Sequence, residues 1–221
     1  MRAALVSRPY AVNLDLTGRP VLVVGGGPVA ARKVRGLLSA GAAVTVVAPE
    51  AVIEIADDPD VRWFRRRYQR GEVASYRLGI TATDDPDVNA LVASDGDAAG
   101  IFVNSADDPA NCSFTLPAVA RQGDLQVAIS TGGRSPGLAR WLRRRYEREL
   151  SAGYDQLLDL LAETRAEARE VLGTSEIDGW DDALDADLLG LVRSGRIEDA
   201  RAVLRGSLGL TASDAQPEVA S

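Results

Sequence analysis

Apolar positions along the chain set its first reading. Pro20–Val24 is a short β-branched run, and Gly25-Gly26-Gly27 follows it at once, the order of a strand and then a glycine turn. From Val29 to Ala40 the residues Val29, Ala30, Val34, Leu37 and Leu38 recur at helical spacing, and Gly41 supplies the stop. Ala43–Ala48 reads as a second strand, closed by Pro49. A strand, a helix and a strand in this succession form a βαβ unit, whose crossover is right-handed and whose strands pair in parallel. The alternation predicts further strands at Val61–Phe64 and Leu78–Thr83, a helix at Asp87–Ala99 and a strand at Ile101–Val103. Such an order implies a doubly wound parallel sheet.

Near Leu116 the pattern changes. Leu125–Ser130 alternates like a half-buried strand, and Pro136–Leu150 predicts a basic helix with proline in its first turn. No strand is predicted beyond Ser151. Helices are expected at Tyr154–Leu172, Ala183–Val192 and Ile197–Leu204, and the small, polar residues after Leu210 predict a disordered tail.

Composition narrows the chemistry. The 221 residues are 46% hydrophobic and 26% charged, an ordinary globular balance, but they include no histidine. That excludes Ser-His-Asp and Cys-His mechanisms and removes the commonest ligand of zinc, leaving acid–base work to carboxylates, tyrosine, the single Lys33 or a cofactor. One cysteine, Cys112, excludes an intrachain disulfide and any multi-cysteine metal or iron–sulfur site. No apolar run approaches the ~20 residues of a membrane span, and the start has no signal-peptide core, so a soluble, cytoplasmic protein is expected. The net charge of −7 is unevenly placed: residues 1–149 carry 19 basic and 17 acidic side chains, whereas 150–221 carry 6 and 15.

Gly25-Gly26-Gly27-Pro28-Val29-Ala30 fits G-x-G-x-x-A, with the turn glycine, the glycine that admits a pyrophosphate and the small helix-packing residue at 25, 27 and 30. Pro28, Val29 and Ala30 open the helix whose N-terminus favours phosphate. The acid expected about 20 residues on is displaced. Ala48 and Pro49 occupy its place; either Glu50 or the backbone groups at Pro49 and Glu50 hold the adenosine ribose, or Glu50 is a plain loop acid. With no basic residue at 48–55 to take a 2′-phosphate, NAD is preferred to NADP. Thr83 ends a central strand at the ligand-binding edge and is a candidate for the nicotinamide pocket. Asp84 beside it is equally an N-cap of the next helix.

Several segments together resemble the precorrin-2 dehydrogenases, including the N-terminal module of siroheme synthases. They are Tyr10 to Leu16, the glycine motif through Lys33, Ala82-Thr-Asp-Asp85, Val103-Asn-Ser-Ala-Asp-Asp-Pro109 and Ser130-Thr-Gly-Gly-Arg-Ser-Pro136. The resemblance covers roughly 10–150. It implies oxidation of precorrin-2 to sirohydrochlorin with NAD⁺ in siroheme or cobalamin synthesis, insertion of Fe²⁺ in some members, and a homodimer, with no role for nucleic acid or membrane. The longer synthases' methyltransferase domain needs a couple of hundred further residues and is not expected within these 221.

The resemblance places the catalytic aspartate on Asp107, with Asp108 the adjacent alternative and an Asx turn before Pro109 the structural reading. Burial beside a macrocycle would raise an aspartate's value and strengthen it as a base. Asn104, Ser130, Thr131, Gly132 and Arg140 are the expected substrate residues, and the arginines of the basic helix suit a polycarboxylate. Residues and resemblance together predict an α/β fold: a Rossmann-like parallel sheet (1–115), a small mixed dimerisation and substrate segment (116–150), a C-terminal helical domain (151–210) and a tail (211–221). The competing functional class is a non-catalytic NAD-sensing module, which leaves the 104–109 and 130–136 motifs without a purpose.

Overall fold

The computed structural model describes residues 9–106, 108–150 and 152–210, so the predicted tail at 211–221 lies outside the described residues. The chain forms two compact units, Met1–Leu116 and Pro117–Ser221.

The first unit runs β1 (Pro20–Val24), α1 (Pro28–Ser39), β2 (Ala43–Val47), α2 (Ile53–Ala56), β3 (Val61–Phe64), β4 (Leu78–Thr81), α3 (Pro86–Ala99) and β5 (Phe102–Ser105). Its strands are all parallel in the order β3-β2-β1-β4-β5. Val24 pairs with Val47 on one side and Thr81 on the other, and Thr81 with Ser105, so the carboxyl ends of four strands finish level. Strand order reverses between β1 and β4, where an open α/β sheet leaves its ligand crevice.

Both faces of the sheet are covered, which explains strands that read as continuous β-branched runs. Val21, Val23, Val44, Val46 and Ile80 pack with Ala30, Val34 and Leu37 of α1, while Leu22, Val24, Val47 and Val103 pack with Val92 of α3. Burying each such side chain is worth about 1.5–3 kcal/mol. Asp95 on α3 is 8% exposed and accepts hydrogen bonds from the Tyr68 hydroxyl (2.9 Å) and the Gly71 N–H (2.6 Å). It thereby ties the crossover before β4 to the helix. Burial, and then the bond to Asp95, push the Tyr68 phenol well above the usual tyrosine value.

The second unit begins with an antiparallel hairpin, β6 (Ala118–Gln122) and β7 (Leu125–Ile129). Its two-residue turn opens on Gly123 at φ 53°, the positive first position that such turns reserve for glycine. An isolated hairpin is marginal in water. Here α4 (Pro136–Glu149) packs on β6 and β7. Four further helices, α5 (Tyr154–Leu172), α6 (Trp180–Asp185), α7 (Leu188–Arg193) and α8 (Ile197–Ser207), enclose Leu157, Leu160, Ala183, Leu188, Val192 and Leu204.

Several details depart from the sequence reading: the short α2 was not predicted, β4 stops at Thr81 instead of Thr83, and β5 runs Phe102–Ser105 instead of Ile101–Val103. β6 was not predicted, because Ala118-Val-Ala-Arg-Gln mixes small and polar residues without clear alternation. The helix expected at Ala183–Val192 is two, α6 and α7. Asp187 interrupts it at φ 55° and its carboxylate accepts the Gly190 N–H, capping α7 instead of continuing α6. Among the described residues no helix is long and apolar enough to cross a membrane.

Candidate functional site

Three successive glycines shape the turn from β1 to α1, and each answers a different demand. Gly25 has φ 118°, and a Cβ there would drive into the Ala82 carbonyl beyond β4. Gly26 lies under the loop after β2: a Cβ would collide with the Glu50 carbonyl, and its own carbonyl accepts the Val52 N–H at 2.8 Å. Gly27 differs. Its φ of −80° suits any residue, and a Cβ would meet nothing within 4 Å. No feature of the described protein requires glycine at 27, so the space above it is the part of the cradle open to a ligand.

Gly27 is the N-cap of α1, with no side-chain cap bond and no acid in the first turn. Pro28 at the first position gives up no useful donor, and Ala30, fully buried, lets the helix lie close on the sheet. An uncapped N-terminus with its positive dipole end beside open space is the donor set a pyrophosphate needs. The residues present therefore fit a bound dinucleotide.

Across the switch point the β4–α3 turn is locked by Asn89, which is 6% exposed. Its side-chain oxygen accepts the hydroxyls of Thr81 and Thr83, and its amide donates to the Thr83 carbonyl at 2.9 Å. Thr83 thus stands at the ligand edge with a fixed rotamer. The N-cap of α3 is Asp85, whose carboxylate accepts from Asp87 and Val88, and exposed Asp84 does not fill that role. The physical reason is Pro86: proline at the first helical position makes the residue before it the cap. Asn89 was missed in the sequence. Its signal was an amide one turn inside a helix, a few residues beyond two threonines.

At the other end of the crevice Pro49 and Glu50 are exposed just beyond β2. Ala48 is tied to β3 by two bonds, its N–H to the Phe64 carbonyl (3.2 Å) and its carbonyl from the Trp63 indole (3.0 Å).

The segment after β5 carries the predicted catalytic motif. Ala106 N–H bonds to the Thr81 carbonyl at 2.8 Å, which puts the start of this loop at the carboxyl edge of the sheet. Asp107 lies outside the described residues. Asp108 accepts the Asn111 amide at 2.6 Å on its carboxylate, closing a turn at Pro109–Asn111. Asn104, 6% exposed, donates to the Phe114 carbonyl at 2.9 Å, and the Cys112 thiol receives the Ser105 N–H at 3.2 Å. Ser113 then lies along β5: its hydroxyl accepts the Val103 N–H and its N–H donates to the Val103 carbonyl. The loop is therefore tied to β4 at Ala106 and to β5 at Cys112 and Ser113.

In the second unit Ser130, Thr131 and Gly132 form a preset turn. The Ser130 hydroxyl accepts the Gly132 N–H, and the Thr131 hydroxyl accepts the N–H of Ser135, which in turn caps α4 at Leu138. Among the arginines of α4, Arg143 pairs with Glu147 at 2.7 Å and Arg145 stacks over Trp141, while Arg140 and Arg144 are exposed one turn apart.

Comparison with known proteins agrees with this division. Residues 12–118 match the NAD(P)-binding family model, and 122–149 match that of the sirohaem biosynthesis protein central region. The chain is 39% identical over 211 residues to the siroheme synthase of Methylococcus capsulatus, covering 93% of this chain and 44% of that one. It is 38% identical over 212 residues to the siroheme synthase of Azotobacter vinelandii, covering 93% and 45%. The chain thus spans less than half the length of these curated relatives. Among solved structures, SirC, precorrin-2 dehydrogenase, superposes with a TM-score of 0.66 at 30% identity, over 90% of this chain and 98% of that one.

Proposed function

Since this chain belongs to the siroheme synthase and precorrin-2 dehydrogenase family and carries its NAD-binding module, we propose that it catalyses the dehydrogenation of precorrin-2 to sirohydrochlorin. The observation that carries the reading is a likeness to SirC that extends over 98% of that chain. NAD⁺, when bound, supplies the acceptor for the hydride. The work left to this chain's own residues is to hold the dinucleotide, to orient the ring and to take up a proton.

Gly25 and Gly26 set the turn, Gly27 leaves room for the pyrophosphate, and the first turn of α1, Pro28 to Ala30, faces it. Pro49 and Glu50 serve the adenosine ribose and Thr83 the nicotinamide end. Asp107 is the proton acceptor. This assignment is supported by the engagement of the neighbouring Asp108 carboxylate with Asn111, which closes the turn instead. Asn104 holds the loop after β5. In the second unit Ser130, Thr131, Gly132 and Arg140 contact the substrate's carboxylates, for which guanidinium and backbone N–H donors are suited.

The test is incubation of the pure chain with precorrin-2 and NAD⁺. Stoichiometric NADH and the sirohydrochlorin spectrum are expected. Tight NAD⁺ binding with no turnover and no affinity for the tetrapyrrole would refute the enzyme reading in favour of an NAD sensor. The proposal is for dehydrogenation alone: with Fe²⁺ added as substrate, insertion at the enzyme-free rate is expected. A homodimer is the proposed assembly, to be checked by sedimentation.

A further inference from the structure

The acid that ordinarily ends the second strand of a dinucleotide fold binds the ribose 2′-hydroxyl and so disfavours a 2′-phosphate. Ala48 stands there in this chain, and the carboxylate of Glu50 is displaced two residues into an exposed loop. The neighbouring strand brings the opposite charge. Phe64 ends β3 bonded through its carbonyl to the Ala48 N–H, and Arg65 is the next residue. Its guanidinium lies 5.8 Å from the Trp63 ring, whose indole N–H is itself bonded to the Ala48 carbonyl. Trp63 packs in the core on the α1 side of the sheet, so Arg65 stacks on the side that carries the phosphate-facing helix.

Arg65 is exposed and forms no salt bridge among the described residues, whereas adjacent Arg66 is held by Glu72 at 2.8 Å and by the Arg67 carbonyl at 3.0 Å. A stacked guanidinium is preorganised for a planar, bidentate grip on phosphate. We propose that Arg65 receives a 2′-phosphate at the adenosine end of the cradle, so that the module binds NADP⁺ as well as NAD⁺. The sequence reading favoured NAD over residues 48–55 alone, and β3 lies outside that window. The proposal rests on the dinucleotide reading of the cradle and is independent of the tetrapyrrole substrate.

The experiment is calorimetric titration of the intact chain with AMP and with adenosine 2′,5′-bisphosphate, which differ only in the 2′-phosphate. The bisphosphate is expected to bind about tenfold more tightly or better at low salt, the factor of one charge-assisted bond. That advantage should shrink as salt rises. Arg65→Ala should remove it while leaving AMP and NAD⁺ affinities unchanged, and Arg65→Lys should keep part of it. Equal binding of the two probes by the wild-type chain would overturn the proposal, as would an Arg65→Ala variant that weakens both alike. Failure of both probes and of NAD⁺ to bind would overturn it together with the cradle. Precorrin-2 turnover does not enter the test.

Discussion

Gly26 and Gly27 are adjacent and chemically identical, yet their replacement by alanine should break different things. At 26 a methyl group collides with the Glu50 carbonyl and sits 2.8 Å from the Ala51 Cα, both backbone atoms, so the loop after β2 must move. Overpacking of this kind costs about 1–3 kcal/mol. For a unit of this size, about 2 kcal/mol lowers Tm by roughly 5–10 °C. At 27 the methyl meets nothing, and a φ of −80° is open to alanine, so apo stability should stay within about 1 kcal/mol of wild type. The same methyl occupies the space before the α1 N-terminus. Losing one charge-assisted bond there costs about 1.5–3 kcal/mol, a 10- to 100-fold weaker NAD⁺ affinity. Scanning calorimetry of the apo variants and titration with NAD⁺ separate the two effects. Wild-type NAD⁺ affinity in Gly27→Ala would refute the assignment of that space to the pyrophosphate, and a wild-type melt for Gly26→Ala would refute the steric reasoning.

Three further outcomes are expected. Asp107→Asn should lower precorrin-2 turnover by about 10²–10⁴-fold with NAD⁺ affinity unchanged; comparable activity in the variant, by NADH absorbance, would end its role as base. Asn89→Ala strips the buried Thr81 hydroxyl of its acceptor and should destabilise the first unit by about 1–3 kcal/mol in urea titration, whereas Asp84→Ala should be near neutral. The raised Tyr68 phenol makes a pH-dependent contribution: it is fully present below pH 10, the unfolded value, and is lost as pH rises from there toward the folded value. Wild type should therefore exceed Tyr68→Phe in stability at pH 8 and lose that margin in melts above pH 10. A constant margin would mean the phenol titrates normally.

The parallel sheet was legible because its strands are buried on both faces and its helices alternate with them, but the four-residue α2 is too short to show a period, and the ends of β4 and β5 differ from the expected Leu78–Thr83 and Ile101–Val103 by one or two residues. The turn glycine at 25 was legible, but the demand at 26 comes from the Ala48–Ala51 loop, a contact across 24 residues that no local pattern carries. The sequence leaves Asp84 open as the α3 cap, and Pro86 at the first helical position decides for Asp85. Asn89 escaped because an inward amide has no periodic signature. Past Pro117 the hydrophobic spacing found α5 to its ends, but a single left-handed residue, Asp187, decided that α6 and α7 are separate helices.

The pairing of Ser113 with Val103 has a consequence for colloidal behaviour. A parallel sheet ends in two rows of backbone groups on which another copy can grow, the usual route to filaments. Here one row is shielded by the chain's own Cys112–Phe114 segment, with a serine taking both the N–H and the carbonyl of Val103. The other row belongs to β3, only four residues long, which carries Arg62 and is followed by Arg65 and Arg66. A short edge studded with cations repels its own kind. Shielding at one end and charge at the other are the devices that keep the edges of a sheet rich in valine from serving as templates for a second copy.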